Sequence, residues 1–266
     1  MRHRQIKMLR RSLLFLIISI CAFVIIYAKL QEKEVVKERP AGTQGVMVVK
    51  KFSFSGENDL LEWEEKVFKG KVLYKIEKGP DQPHVRAISN NAASALYYRI
   101  KVDAKTRRPY ISWRWRVDKF PSKKNKEDLE KESEDDFAAR VYVIFPAMFL
   151  TNSKVLEYIW AEGLSAGTTG TSHYSKNIRL IVLHSGIDKD KKWFLEERDI
   201  LADYKNAFGR MPEYNIGAIA FMTNAEHTGS SAEAMYGDIM LGYKDESVKG
   251  GTGFENKILK NKVSDR

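Results

Sequence analysis

The residues best suited to chemistry are arginines set into alternating runs. In ISWRWRVD, Ile111 to Asp118, Arg114 and Arg116 alternate with Trp113 and Trp115, and successive side chains of a strand point to opposite faces. One face of this stretch is therefore apolar, and the other carries two guanidiniums. A second run, ARVYVIF, repeats the pattern: Ala139, Val141, Val143 and Phe145 mark a core face and leave Arg140, Tyr142 and Ile144 opposite. If the two strands are neighbours, Arg114, Arg116, Arg140 and Tyr142 share one surface. Three guanidiniums there can grip carboxylate or sulfate through forked hydrogen bonds. Asp118, Asp135, Asp136 and Asp238 are the available counter-charges, and they can equally close the arginines into an internal Arg–Asp lattice. The expected ligand-binding set is Arg114, Arg116, Arg140, Tyr142, Asp136 and Asp238.

Other candidates are weaker. The adjacent Asp135 and Asp136 can hold Ca2+ with backbone oxygens, act as acid or base, or fix a turn. A shared dyad is not expected, because strand neighbours point apart. Asp136 and Asp238 are the pair to nominate for polysaccharide hydrolysis or elimination, chemistry that needs two carboxylates about 5–10 Å apart. Trp113 and Trp115 can stack on sugars, but they share a face with Ile111 and Val117 and read as core. GTTGTSHY, Gly167 to Tyr174, lacks the Gly-Lys-Ser/Thr ending of a phosphate loop and reads as a mobile loop. Asn224, Glu226 and His227 follow a buried strand, where binding residues often sit, although a plain loop is the simpler reading. His173, His184 and His227 lack metal-ligand spacing, and there is no Gly-x-Ser-x-Gly elbow and no Gly-x-Gly-x-x-Gly. No catalytic residue, metal or cofactor is expected; Ca2+ is the one cation worth weighing.

These residues must be positioned by short strands. Candidates run over 46–54, 71–77, 84–89, 95–102, 110–117, 139–145, 155–160, 177–184, 193–198, 216–222 and 236–243, each bounded by turn residues. Segments 178–183 and 216–222 are apolar on both faces and should be the most buried. Asp59 with Glu62 suggests a capped helix reaching Val67. Asp199 suggests another, stopped by Gly209. The mixed-charge run 119–134 reads as a solvated loop. The expected fold is all-β, a jelly-roll-like antiparallel β-sandwich with one or two short helices.

The ends carry most of the charge. The net charge is +10, of which residues 1–11 supply five basic groups and no acid. A concentrated basic face is therefore missing, which argues against a nucleic-acid partner. Ser12 to Ala28 are 17 residues without a charge, about 25 Å as a helix. With flanking Arg11 and Lys29 to snorkel, they can span a membrane; a cleaved signal peptide is the competing reading. The basic tail favours a cytoplasmic N-terminus. The expected organisation is a tail and anchor over 1–30, a linker over 31–45, the sandwich over 46–243 and a flexible tail over 244–266. The expected location is the inner membrane, with the domain on the periplasmic side. Cys21, in the apolar run, is the one cysteine, so the domain has neither a disulfide nor a thiol nucleophile.

The ordered series WRWRVD, EDDFAARVYVIF, YIWAEG, HSG, RDILADYKNAFG and FMTNAEHTGSSAEAMYGDI resembles a bacterial family known as domain of unknown function three-zero-four-seven, over about 52–241. The resemblance implies an exported or envelope-associated β-sandwich and supplies no activity and no site residues. That family usually reads TDTDNT where this chain has TNAEHT, so the resemblance supports no metal or ligand role for Asn224, Glu226 or His227. The expected function is non-catalytic binding of a glycan or other anionic envelope ligand. The alternatives are a polysaccharide hydrolase or lyase and a structural partner in an envelope complex.

Overall fold

The computed structural model describes residues 45–79, 82–148 and 150–244; the apolar run 12–28, the linker and the C-terminal tail lie outside them. Among the described residues no helix is long and apolar enough to cross a membrane. Two sheets face each other. The first is ordered β11(Phe194–Asp199), β6(Pro109–Lys119), β13(Ser231–Lys244), β4(Pro83–Asn90), β3(Leu73–Lys78), and β1(Val46–Phe52) also pairs with β13. The second is ordered β2(Glu64–Lys69), β5(Ala93–Val102), β12(Ile216–Asn224), β7(Ala139–Phe145), β8(Lys154–Ala161), β10(Ser175–Ser185), β9(Thr169–Ser172). The chain is thus an all-β sandwich. The pairing is not purely antiparallel, because β8 and β10 run parallel; β9, inside the expected loop 167–174, lies in the connection between them.

The alternating patterns place the core between the sheets. Trp113 and Trp115 are fully buried. Their rings meet edge to face at 5.3 Å, and they reach across to Tyr158 at 5.2 Å and Trp160 at 5.8 Å on β8. These tryptophans are core, as their shared face with Ile111 and Val117 requires. Tyr236 of β13 ties the sheets together: its hydroxyl donates to Met222 O at 2.6 Å and accepts from Arg140 N at 3.2 Å. Among the described residues the one α-helix, α1(Ile200–Phe208), begins where Asp199 accepts from Ala202 N at 3.2 Å and ends at Gly209, whose φ of 71° needs glycine.

Two local expectations are corrected. Only Asp59–Glu62 is helical, as a single 3-10 turn, and 64–69 pairs with β5 as an edge strand. The competing signal there was an alternation, with Lys66 and Phe68 half-buried and Glu65, Val67 and Lys69 exposed; Phe68 packs against Tyr97 and Ile144 on the outer face of the second sheet. The run 119–134 is not a solvated loop. Glu127 takes Lys123 Nζ at 2.6 Å and the backbone N–H groups of Glu162, Gly163 and Leu164. Leu129 and Phe137 cover Ile159, Ala161, Leu180 and Val182 on the outer face of the second sheet.

Candidate functional site

Strands β6 and β7 belong to different sheets, and this decides the fate of the expected arginine surface. Their core faces point at each other, so their polar faces point apart. Arg114 and Arg116 lie on the outside of the first sheet, whereas Arg140 and Tyr142 lie on the outside of the second. The single patch holding Arg114, Arg116, Arg140 and Tyr142 does not exist. The nominated pair Asp136 and Asp238 is also separated. Asp136 is bonded to the β12–β13 turn, and Asp238 lies seven residues along β13, roughly 20 Å away at strand spacing, with Lys51 Nζ at 2.9 Å from its carboxylate. That distance is too long for paired glycosidase carboxylates.

On the outside of the first sheet, β3, β4, β13 and β6 form the floor of an open cleft of about 250 Å3. Arg116 makes a forked contact with Asp118, at 2.8 and 3.2 Å, and its guanidinium lies 5.5 Å from the ring of Trp193. Arg86 on β4 bonds Glu233 at 2.7 Å and reaches Glu77 at 3.4 Å. Trp193, supplied by the turn before β11, is half-buried and packs edge-on against His84 at 5.2 Å. Arg114, exposed at the rim, donates to Gln82 Oε1 at 2.7 Å. Gly237 lets Gln82 approach, since a Cβ there would meet Gln82 Nε2 at 2.6 Å. The cleft and its rim hold Arg86, Arg114, Arg116 and Lys191 against Glu77, Asp118 and Glu233, so the charges almost cancel. The lattice alternative is realised for Arg116. The result is a set of fixed planar donors and acceptors beside one aromatic ring, an arrangement suited to hydroxyl groups more than to a net anion.

On the outside of the second sheet the polar residues are buried. Arg140 donates to Glu157 Oε1 at 2.8 Å, to Asp135 Oδ1 at 2.9 Å, to the Asp135 carbonyl and to the Tyr142 hydroxyl at 3.3 Å. Its side chain is 3% exposed and that of Glu157 4%. Burial pushes the Glu157 carboxyl up to about 7 even with Arg140 beside it. Asp135 and Asp136 therefore do not act together. Asp135 serves Arg140, whereas Asp136 accepts from Asn224 Nδ2, His227 N and Thr228 N at 2.8, 3.2 and 2.7 Å. Burial alone would raise Asp136; the Thr228 N–H and its other donors hold it below the ordinary carboxylate range. Burial, and then the charge of Asp136, push Glu226 well above that range. Glu226 Oε1 lies 3.3 Å from His227 Nε2, and the Tyr174 hydroxyl lies 2.9 Å from the same nitrogen. Ligand atoms of Asp136, Glu226 and His227 all fall within 4.8 Å of one another, the one such group among the described residues.

A family model described as a protein of unknown function, DUF3047, matches residues 61–240. The chain belongs to the DUF3047 family. No curated protein matches this DUF3047 chain. Among solved structures it is similar to the family 11 carbohydrate-binding module of the cellulosomal cellulase Lic26A-Cel5E of Clostridium thermocellum, at 12% identity and a TM-score of 0.38, covering 76% of this chain and 96% of that one. It is also similar to the family 30 carbohydrate-binding module of cellulosomal cellulase Cel9D-Cel44B of the same organism, at 9% identity and a TM-score of 0.39, covering 69% and 92%. Scores this low carry no inference about ligand or activity.

Sequence reasoning placed Arg114, Arg116 and Asp118 on one face. It missed Arg86, Glu233 and Trp193 as their companions. Trp193 had a legible signal, a large aromatic in the charged turn DKDKKW, where no core face requires one. Arg86 and Glu233 had none, because they meet only through the β4–β13 pairing.

Proposed function

We propose that this chain is an exported, membrane-anchored, jelly-roll-like sandwich that binds a glycan without cleaving it, in the cleft over β3, β4, β13 and β6. The observation that carries the reading is Trp193, a half-exposed indole beside Arg116, Asp118, Arg86 and Glu233. The indole offers a flat apolar platform for the C–H face of a sugar ring, and the charged pairs supply donors and acceptors already held in place. Preformed pairs lose little side-chain entropy on binding. Near-neutral local charge favours a neutral or weakly acidic glycan. Export rests on the basic tail before the apolar run 12–28, which serves as the anchor.

The test is a polysaccharide pull-down and glycan array with residues 46–243, followed by titration of any hit. Trp193→Ala should weaken binding by about 1–3 kcal/mol, roughly the value of a stacked aromatic with its buried area, while the melting temperature stays near that of the parent. Arg114→Ala should weaken it less, because Arg114 stands at the rim. Binding of the hit unaltered in Trp193→Ala would remove this cleft as the site.

A further inference from the structure

We propose that Asp136, Glu226 and His227 form a binding site for one divalent transition cation of the Zn2+ or Mn2+ type, at the end of the sandwich where the turn between β12 and β13 meets the segment before β7. Three ligand types converge there: two carboxylates and an imidazole, with their donor atoms within 4.8 Å of one another. Glu226 Oε1 and His227 Nε2 are 3.3 Å apart, close to the edge of a tetrahedron with metal–ligand bonds of about 2.0–2.2 Å. Asp136 is fully buried, and the side chains of Glu226 and His227 are 9% exposed.

Two carboxylates held this close away from water need a cation between them. In the metal-free chain a proton can fill that role; a divalent ion does so with the added help of the imidazole. The mixed nitrogen and oxygen set selects against Ca2+, which prefers oxygen alone. The supporting groups are already in place. Asn224 Nδ2 bonds both Asp136 at 2.8 Å and Glu226 at 2.9 Å, and the N–H groups of His227 and Thr228 fix the Asp136 carboxylate. Outer partners of this kind orient metal ligands.

A second imidazole points to the same place. Both ring nitrogens of His173 are buried with no hydrogen-bond partner, and its ring lies 6.2 Å from that of His227. A buried imidazole with neither nitrogen satisfied is costly, and a cation or a water bound to it would relieve that cost. Tyr174 links the two rings: it packs on His173 at 3.6 Å and bonds His227 Nε2, and it would yield that nitrogen to the metal. The site lies at the end of the sandwich and shares no residue with the glycan cleft, so the two proposals stand or fall separately.

The experiment strips the purified full chain with EDTA and titrates it with Zn2+, Mn2+ and Ca2+ by calorimetry, with melting curves in parallel. One Zn2+ or Mn2+ per chain is expected, with a melting temperature that rises with the logarithm of metal concentration. His227→Gln should weaken binding at least about tenfold. Glu226→Gln should fold and melt like the parent without metal, since the amide is the same size as the carboxyl and its oxygen can still accept from Asn224 Nδ2, and should lose the metal-dependent rise. The proposal is overturned by no saturable binding up to about 1 mM, by binding that neither variant weakens, or by Ca2+ binding that is indifferent to His227→Gln.

Discussion

Replacing Arg140 with Met is the sharpest test of the division between the two sheet faces. As a ligand contact, Arg140 would be dispensable to the fold; as built, it neutralises two buried carboxylates. Its side chain is 3% exposed, it bonds Glu157 at 2.8 Å and Asp135 at 2.9 Å, and it lies 4.7 Å over the ring of Phe137. Methionine keeps much of the apolar packing and removes all the donors. Breaking a buried ion pair by deleting one partner costs about 3–5 kcal/mol, because the remaining charge is stranded. Part of that cost is relieved here by protonation of Glu157, which burial already pushes up to about 7, so the lower half of the range applies near neutral pH. For about 200 ordered residues the unfolding entropy is roughly 0.4 kcal/mol per degree, so the melting temperature should fall by about 7–10 °C. Scanning calorimetry with a urea series at pH 7.5 measures both quantities, and an unchanged m-value confirms that the two-state description survives. A loss below about 1 kcal/mol would refute the reasoning, more so if binding of an anionic glycan fell at the same time.

The other expectations follow from the same structure. Trp115→Ala should cost about 3–5 kcal/mol, since the ring is fully buried between Trp113, Trp160 and His184; a parent-like melting temperature would mean the packing is wrong. Glu157 binds its proton more tightly when folded than its ordinary value of 4.5 allows. Its contribution is therefore complete below about 4.5 and is lost as pH rises to about 7. The stability of Glu157→Gln should be flatter than the parent across that window, and parallel urea-midpoint curves would contradict the shift. Alkaline phosphatase fused after Tyr243 should be active if the domain is exported; an inactive fusion, with an active cytoplasmic reporter at the same point, would end that part of the proposal.

What local sequence could determine, it determined well. Alternation placed Trp113, Trp115, Val141 and Val143 in the core and Arg114, Arg116, Arg140 and Tyr142 away from it, because the period of two is a property of a single strand. The cap at Asp199 and the stop at Gly209 were legible for the same reason: each acts within a few residues. Local pattern does not say which strands are neighbours. A face is named only relative to its own strand, and β6 and β7 were assigned to opposite sheets by pairings with β13 and β12, residues about 120 and 80 positions further along the chain. That choice separated Arg116 from Arg140 and joined Arg116 to Arg86, Glu233 and Trp193. Burial of charge was equally hidden. Glu127 and Asp136 lie in runs that look solvated, yet each is held by backbone N–H groups of a distant turn, at Glu162–Leu164 and at His227–Thr228. Whether a charged side chain is exposed depends on what covers it, and the cover here comes from segments far away in sequence.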